Sequence, residues 1–404
     1  MSSHPHRHSP GFDPEFIPLN RPFLVGTEAS YIEEAVRGGW LAAGGAFTAR
    51  CEEWLERRTG CHKAFLTNSC TAALEAAALV SGLGPGDEVI MPSFTFASTA
   101  TAFALRGATP VFVDIEPETL TIDPERAADA VTPATRAIVP VHYAGVGCEM
   151  DELGSLAEEH GLLVIEDAAQ GLLSTYRGRP LGGIGGLGAI SFHETKNVTS
   201  GEGGALLVNL PELLDPTEIV WEKGTDRRRF DRGEVDAYRW IGLGSSFGAS
   251  EVTAAFLWAQ LEEADRITER RRTIWDRYHE AFADLEAEGR VRRPAVPPGR
   301  THNAHMYYLL QPNRESRTTF IEELARRRIL AVFHYIPLHS APAGQLLGRA
   351  HGELRHTDDL SSRLVRLPLW TGMDEDMIER VVEAVREVVR ARVQPPDRVG
   401  RGRG

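Results

Sequence analysis

Between about residues 60 and 210, unbroken apolar runs alternate with longer stretches in which apolar residues return every three or four positions. Unbroken runs suit strands buried on both faces, and the longer period suits helices packed over them. The runs predict strands at Lys63–Thr67, Glu88–Met91, Pro110–Asp114, Ala137–His142, Leu162–Asp167, Ala189–Phe192 and Ala205–Asn209. Helices are predicted at Thr71–Gly82, Ser98–Gly107, Pro124–Ala130 and Met150–His160, with glycine stops. Strand and helix alternating at intervals of about 25 residues predict an α/β unit with a mainly parallel sheet. The last two strands follow closely on one another, which leaves a different pairing open for them.

The rhythm then changes. Residues 211–250 are irregular and charged, and Ser250–Leu285 reads as one or two long helices with Trp258, Leu261, Ile267 and Trp275 on apolar positions. Beyond Pro294–Pro298 the pattern predicts a strand (Met306–Leu310), a helix (Thr319–Arg328), a strand (Leu330–His334) and a final helix (Asp374–Val389). This is a smaller α+β unit. The expected division is a polar tail over 1–20, a large unit over 21–260, a small unit over 261–392 and a Pro/Gly/Arg-rich tail over 393–404. His4, His6 and His8 fall in the first tail, with no further ligand nearby to complete a metal site.

Composition narrows the class. The 404 residues carry 44 Lys+Arg and 57 Asp+Glu, a net charge of −13, with 42% hydrophobic and 25% charged residues. That balance is of a soluble globular protein and lacks the cationic excess of a general nucleic-acid binder. No apolar run approaches the ~18 residues of a membrane span, and the first residues lack the apolar stretch of a secretory signal, so a cytoplasmic location is expected. Cys51, Cys61, Cys70 and Cys148 show no CxxC spacing and read as reduced thiols. Only three lysines occur, Lys63, Lys196 and Lys223; every other one of the 44 basic residues is arginine. Arginine cannot replace lysine where an amine must lose a proton and form a covalent bond.

Five constellations carry candidate chemistry. In Asn68-Ser69-Cys70-Thr71 a strand gives way to an Ala-rich helix, an arrangement that serves equally as an N-cap or an anion site. Glu166-Asp167 ends an apolar strand, where open α/β sheets place their ligands. Lys196 follows a strand and precedes Gly201-Glu202-Gly203-Gly204, which makes it a Schiff-base candidate. Lys223–Arg232 is a basic run in an acidic chain, either a diphosphate contact or a solvated loop. His334 and Tyr335 close a strand of the smaller unit. Gly183-Ile184-Gly185-Gly186-Leu187-Gly188 fits G-x-G-x-x-G, but it follows a loop and opens a strand, contrary to the dinucleotide fingerprint. A phosphate-anchoring helix start, an acid at a strand end and an isolated lysine together meet the three needs of pyridoxal 5′-phosphate (PLP).

These motifs, with Gly86–Ser93, Pro140–Gly145, Phe192–Asn197 and Ala331–His339, resemble the DegT/StrS family of PLP-dependent nucleotide-sugar aminotransferases from about Pro18 to Val389. The resemblance implies the fold-type-I, aspartate-aminotransferase-like architecture, with a mostly parallel seven-stranded sheet in the large domain and a smaller C-terminal α+β domain. His193-Glu194-Thr195-Lys196 and Glu222-Lys223-Gly224-Thr225 resemble the subgroup that makes dTDP-4-amino-4,6-dideoxygalactose. L-Glutamate is then the expected donor and C4 of dTDP-4-keto-6-deoxy-D-glucose the acceptor, in a homodimer or a dimer-based oligomer. Carried over residue by residue, Lys196 is the Schiff-base lysine holding PLP covalently and Asp167 the acid at the pyridine nitrogen. Phe96 matches the aromatic stacked on the ring, Cys70, Thr71 and Ser191 the phosphate contacts, and Gln170 the group at the 3′-oxygen. His334 matches a residue near the lysine. His334, Tyr335, Lys223, Arg228 and Arg229 are the expected substrate contacts. Many members carry, in the stretch Ser245–Gly248, an Asn donated to the phosphate of the neighbouring subunit; this chain ends that stretch in Gly248.

Rival readings are separable. A sugar 3-dehydratase of this family has histidine in place of the lysine, and Lys196 argues against it. A 3-keto-sugar aminotransferase is excluded by no single residue. A non-catalytic PLP-holding protein would not turn over glutamate. A nucleotide-sugar oxidoreductase is weakened by the misplaced glycine motif.

Overall fold

The computed structural model describes residues 15–391; His4, His6, His8 and most of both expected tails lie outside them. All seven predicted strands of the large unit form: β1 (Lys63–Thr67), β2 (Glu88–Pro92), β3 (Thr109–Val113), β4 (Thr135–Ile138), β5 (Leu163–Asp167), β6 (Leu187–Ser191) and β7 (Gly204–Val208). They lie in the order β1-β7-β6-β5-β4-β2-β3. The sheet is wider than expected by one strand, because the short segment Arg349–Ala350 adds in parallel to β3. Pairing from β6 through β5, β4 and β2 to β3 is parallel, whereas β7 runs antiparallel to both β1 and β6. The two closely spaced strands thus pair as a hairpin-like unit: no helix lies between them to carry the chain across the sheet.

Adjacent strand residues serve opposite layers. Phe65, Ile165 and Leu206 pack under the helix Cys70–Val80 and its neighbours, while Leu66, Val164 and Leu207 pack on the opposite face. Burial on both sides explains why these strands read as continuous apolar runs. The opposite face is covered partly by Ala46–Thr59, whose first turn is tied to a distant helix: the buried Glu251 carboxylate accepts Gly45 N–H at 3.0 Å, Phe47 N–H at 2.8 Å and Thr48 N–H at 2.9 Å.

A second core gathers Ile17 with residues from Ile274 to Val389. Ser250–Leu285 divides into Glu251–Glu262, Ala264–Ala281 and Ala283–Ala287. Strand Tyr307–Leu310 pairs antiparallel with Leu364–Leu367, not with the predicted Leu330–His334. That segment makes only an isolated bridge, Val332 to Arg366; Ala331 is buried in the second core, Leu330 borders the cleft and Phe333 is exposed.

The glycine motif has an internal function. Glu166, fully buried, accepts N–H groups from Gly182 (2.8 Å), Ile184 (2.7 Å) and Gly185 (2.6 Å), and His142 Nε2–H at 2.8 Å. Burial opposes the charge on Glu166, but these donors outweigh it and hold the pKa below the ordinary carboxylate value. A Cβ at Gly188 would lie 2.1 Å from Gly182 O, so the loop closes this tightly only with glycine. The loop binds a carboxylate of its own chain.

Candidate active site

The C-terminal ends of the parallel strands open into a cleft of about 600 Å³, within the range of small-molecule sites. One wall is the start of the helix Cys70–Val80. Ser69 caps it, accepting Ala72 N–H at 3.0 Å, which leaves the Cys70 and Thr71 N–H groups ahead of the first intrahelical bonds. Thr71 Oγ1 lies 2.8 Å from Ser98 Oγ. Gly204 makes this corner possible: a Cβ there would sit 2.4 Å from Cys70 N and from Ser69 C.

Asp167, at the end of β5, is only 5% exposed. Thr99 Oγ1–H donates to its Oδ2 at 2.7 Å and Ala169 N–H to its Oδ1 at 3.1 Å; Thr95 backs Thr99 at 2.8 Å. The carboxylate is oriented, and each oxygen keeps acceptor capacity towards the cleft. Lys196 follows β6, its turn closed by Lys196 N–H to His193 O at 2.9 Å. Burial lowers the pKa of its amine, the charge of Arg366 adds to that, and Asp167 opposes it. Ser191 borders the cleft at the end of β6. Gln170 accepts Ala144 N–H at 2.6 Å and donates to Tyr335 Oη at 3.3 Å. Phe96 is 60% exposed, its ring 6.1 Å from that of Tyr335. His334 Nδ1 lies 3.0 Å from Tyr143 Oη, and burial keeps the His334 imidazole well below its usual pKa, hence neutral.

A phosphate-sized anion fits the free N–H groups beside Thr71, a ring nitrogen fits Asp167, and an aldehyde carbon fits Lys196. The match of residues 24–386 to the model of the DegT/DnrJ/EryC1/StrS aminotransferase family agrees with that fit. The chain belongs to this family. DegT/DnrJ/EryC1/StrS enzymes are PLP-dependent transaminases, and this one is 35% identical over 93% of its length to the spore coat polysaccharide biosynthesis protein SpsC of Bacillus subtilis, covering 97% of that protein. The aminotransferase TlmJ of Streptoalloteichus hindustanus superposes with a TM-score of 0.85 at 28% identity, over 94% of this chain and all of the other. The PLP form of the sugar aminotransferase Spr1654 of Streptococcus pneumoniae superposes at 0.86 with 27% identity, over 94% of this chain and 100% of that one.

Of the residues expected from sequence, Cys70, Thr71, Phe96, Asp167, Gln170, Ser191, Lys196, His334 and Tyr335 border this one cleft. Lys223, Arg228 and Arg229 do not border it. The Arg228 guanidinium stacks over Trp221 at 4.7 Å and Phe65 at 4.9 Å, with Glu218 and Glu222 each 3.8 Å away. Arg229 pairs with Asp215 at 2.7 Å, and Arg232 with Glu218 at 2.9 Å. The charge surplus seen along the sequence is met by carboxylates of the preceding helix, Leu214–Trp221. Gly248 also has a steric reason: a Cβ there would fall 2.5 Å from Ala43 Cβ and 2.7 Å from Trp221 Cζ2, so an Asn does not fit. Sequence reading missed Thr95, Thr99, His305 and Arg366 as cleft residues. An arginine alone among Leu364-Val365-Arg366-Leu367 was the available signal for the last.

Gly204→Ala is expected to weaken PLP binding by about ten- to a hundredfold. The added methyl pushes Ser69 and Cys70 off the sheet, and one charge-assisted hydrogen bond is worth that much. Titration of the apoprotein with PLP, followed by absorbance, checks this; unchanged affinity refutes the cradle.

Proposed function

We propose that this enzyme transfers the amino group of L-glutamate to C4 of dTDP-4-keto-6-deoxy-D-glucose, giving a dTDP-4-amino-4,6-dideoxy sugar. The observation that carries the transamination is Lys196 and Asp167 in one cleft with the Ser69–Thr71 helix start. The sugar assignment is supported by the subgroup motifs His193–Lys196 and Glu222–Thr225. Bound PLP supplies the electron sink that lets the donor's α-proton leave. Lys196 would anchor the cofactor and, once free, would take the proton from the donor α-carbon; its lowered pKa favours the base form. Asp167 holds the proton on the ring nitrogen. Cys70, Thr71 and Ser191 would hold the phosphate, Gln170 the 3′-oxygen, and Phe96 would stack on the ring.

Incubation with dTDP-4-keto-6-deoxyglucose and L-glutamate, with NMR of the product, tests the assignment. Nitrogen on C4 is expected; nitrogen on C3 of a 3-keto substrate, with no reaction at C4, overturns it.

The working unit we infer is a homodimer. Among the described residues, Trp40, Phe96, Tyr238, Trp240 and Leu243 are each more than half exposed, large apolar side chains that a partner chain would cover. Light scattering should report twice the chain mass, and fully active monomers would refute the dimer.

A further inference from the structure

We propose that His305 positions the catalytic amine: once Lys196 is free of the cofactor, His305 Nε2 accepts one of its N–H groups and leaves the amine lone pair to take the donor's α-proton. The inference rests on the reading of Lys196 as the cofactor lysine. His305 is 9% exposed and borders the main cleft together with Lys196. The same two residues also line a second, much smaller cavity of about 10 Å³, with Gln170, Ser191, Asn197 and Asn303. That space is about the size of one water, so its walls face one another at close range.

Hydrogen bonding fixes which ring nitrogen carries the proton. Asn197 Nδ2 donates to Asn303 O at 2.7 Å, and a carbonyl only accepts, so Asn197 Oδ1 is the atom 3.2 Å from His305 Nδ1. An amide oxygen also only accepts, so Nδ1 carries the hydrogen. Burial, reinforced by the charges of Lys196, Arg271 and Arg366, keeps the imidazole far below its usual pKa, hence neutral. A neutral ring with Nδ1–H has a bare lone pair on Nε2. None of the described residues donates to it, and it is not sealed off from the space around it.

The ring is also held in place. His305 N–H donates to Asn303 Oδ1 at 3.0 Å, and the buried Arg271 spans two carbonyls, Ala304 O at 3.1 Å and His305 O at 2.7 Å. Ala304 sits at φ 51°, a left-handed conformation that a residue with a Cβ avoids and that these bonds maintain. Of the donors on the small cavity's walls, Lys196 is the uncommitted one. Asn303 spends its amide on Gln170 O and Leu172 O, at 2.8 Å each, and Asn197 donates to Asn303 O. Gln170 donates to Tyr335 Oη at 3.3 Å, and Ser191 is assigned to the phosphate.

A neutral acceptor suits the step. A carboxylate in this place would hold Lys196 as an ammonium, and a cation would repel the proton that Lys196 has to take. His305 does neither. The Lys196 nitrogen takes the α-proton with its lone pair, the electron pair left on carbon passes to the bound cofactor, and His305 neither gains nor loses a proton.

Two substitutions separate this role from a structural one. His305→Asn keeps an amide N–H where Nδ1 donates to Asn197 but leaves nothing at the place of Nε2. His305→Gln brings its amide oxygen to the place of Nε2 and gives up the bond to Asn197. In single turnovers of the PLP-loaded enzyme with L-glutamate, His305→Asn is expected to slow the limiting rate about ten- to a hundredfold. Its affinities for glutamate and PLP should stay within about twofold of the wild type, and the isotope effect with α-deuterated glutamate should grow. His305→Gln should recover most of the rate. A second readout needs no turnover. The chain has only three lysines, so lysine labelled with carbon-13 at Cε gives three NMR signals in the apoprotein. The Lys196 signal, identified by its loss in Lys196→Ala, should move in His305→Asn and return towards its wild-type position in His305→Gln. The reverse order, with His305→Asn like the wild type and His305→Gln impaired, makes the ring a prop for Asn197 and overturns the proposal. So does a slowed rate in both variants with the Lys196 signal unmoved, or no loss in either. If borohydride reduction of the wild type with PLP labels Lys63 or Lys223, the reading of Lys196 falls and this inference with it. A label on Lys196 leaves the two variants to decide on His305 alone.

Discussion

Lys196→Ala is expected to reduce turnover by at least about 10³-fold and to abolish the covalent PLP adduct trapped by borohydride. The loss combines two roles. A positioned general base contributes typically 10²–10⁴-fold, and the covalent anchor that places the cofactor is removed with it. Competing amines are scarce: the chain has only Lys63 and Lys223 besides, and neither borders the cleft. Lys63 is engaged by Glu56 at 2.7 Å, on the far side of β1 from the helix start. Peptide mapping after reduction therefore distinguishes the assignment cleanly, and a label on Lys63 or Lys223 would refute it. The direction of the pH dependence follows from burial. Because the amine's pKa is lowered from its ordinary 10.5, the base form is available at lower pH than for a free lysine. The rising limb of kcat against pH should lie below that value.

Asp167→Asn should remove most activity, by about a hundredfold or more, with the fold retained. The substitution takes away the charge that keeps a proton on the ring nitrogen and nearly keeps the shape. Its hydrogen bonding can also be absorbed. The new amide donates to Thr99 Oγ1, which then turns its own hydrogen to Thr95, 2.8 Å away. The amide oxygen continues to accept Ala169 N–H. Retained circular dichroism and melting temperature with near-normal turnover would refute the role; both half-reactions should slow together, since both need the electron sink.

The sheet was legible because its strands are buried on both faces, so each run of Val, Ile and Leu marks a strand directly. The helix start at Ser69 and the acid at Asp167 were legible for the same reason: they sit where those runs stop. Other parts were legible but went unread. Ala46–Thr59 buries Phe47, Cys51, Trp54 and Leu55, a helical spacing hidden among its Glu and Arg residues. Arg355–Arg363 offered much less, since Thr357, Leu360 and Ser361 alone are buried on it. Leu330–His334 misled because an apolar run shows burial without showing which neighbour supplies the hydrogen bonds. The basic run around Arg228 misled in a related way. Its countercharges stand six to fourteen residues earlier, on Asp215, Glu218 and Glu222, and the turn between the two helices decides whether they meet.

Glu166 and Asp167 are adjacent and chemically almost identical, yet one is bound by a glycine loop inside the protein and the other opens towards the cleft. A strand turns successive side chains to opposite faces, so a shift of one residue along β5 would exchange them. The longer glutamate would then reach into the cleft, and the shorter aspartate would be left beneath a ring of N–H groups spaced for its neighbour. Strand register and cofactor chemistry are thus one variable in this protein: the glycine loop acts as a gauge that accepts only the alignment in which the right acid faces the substrate.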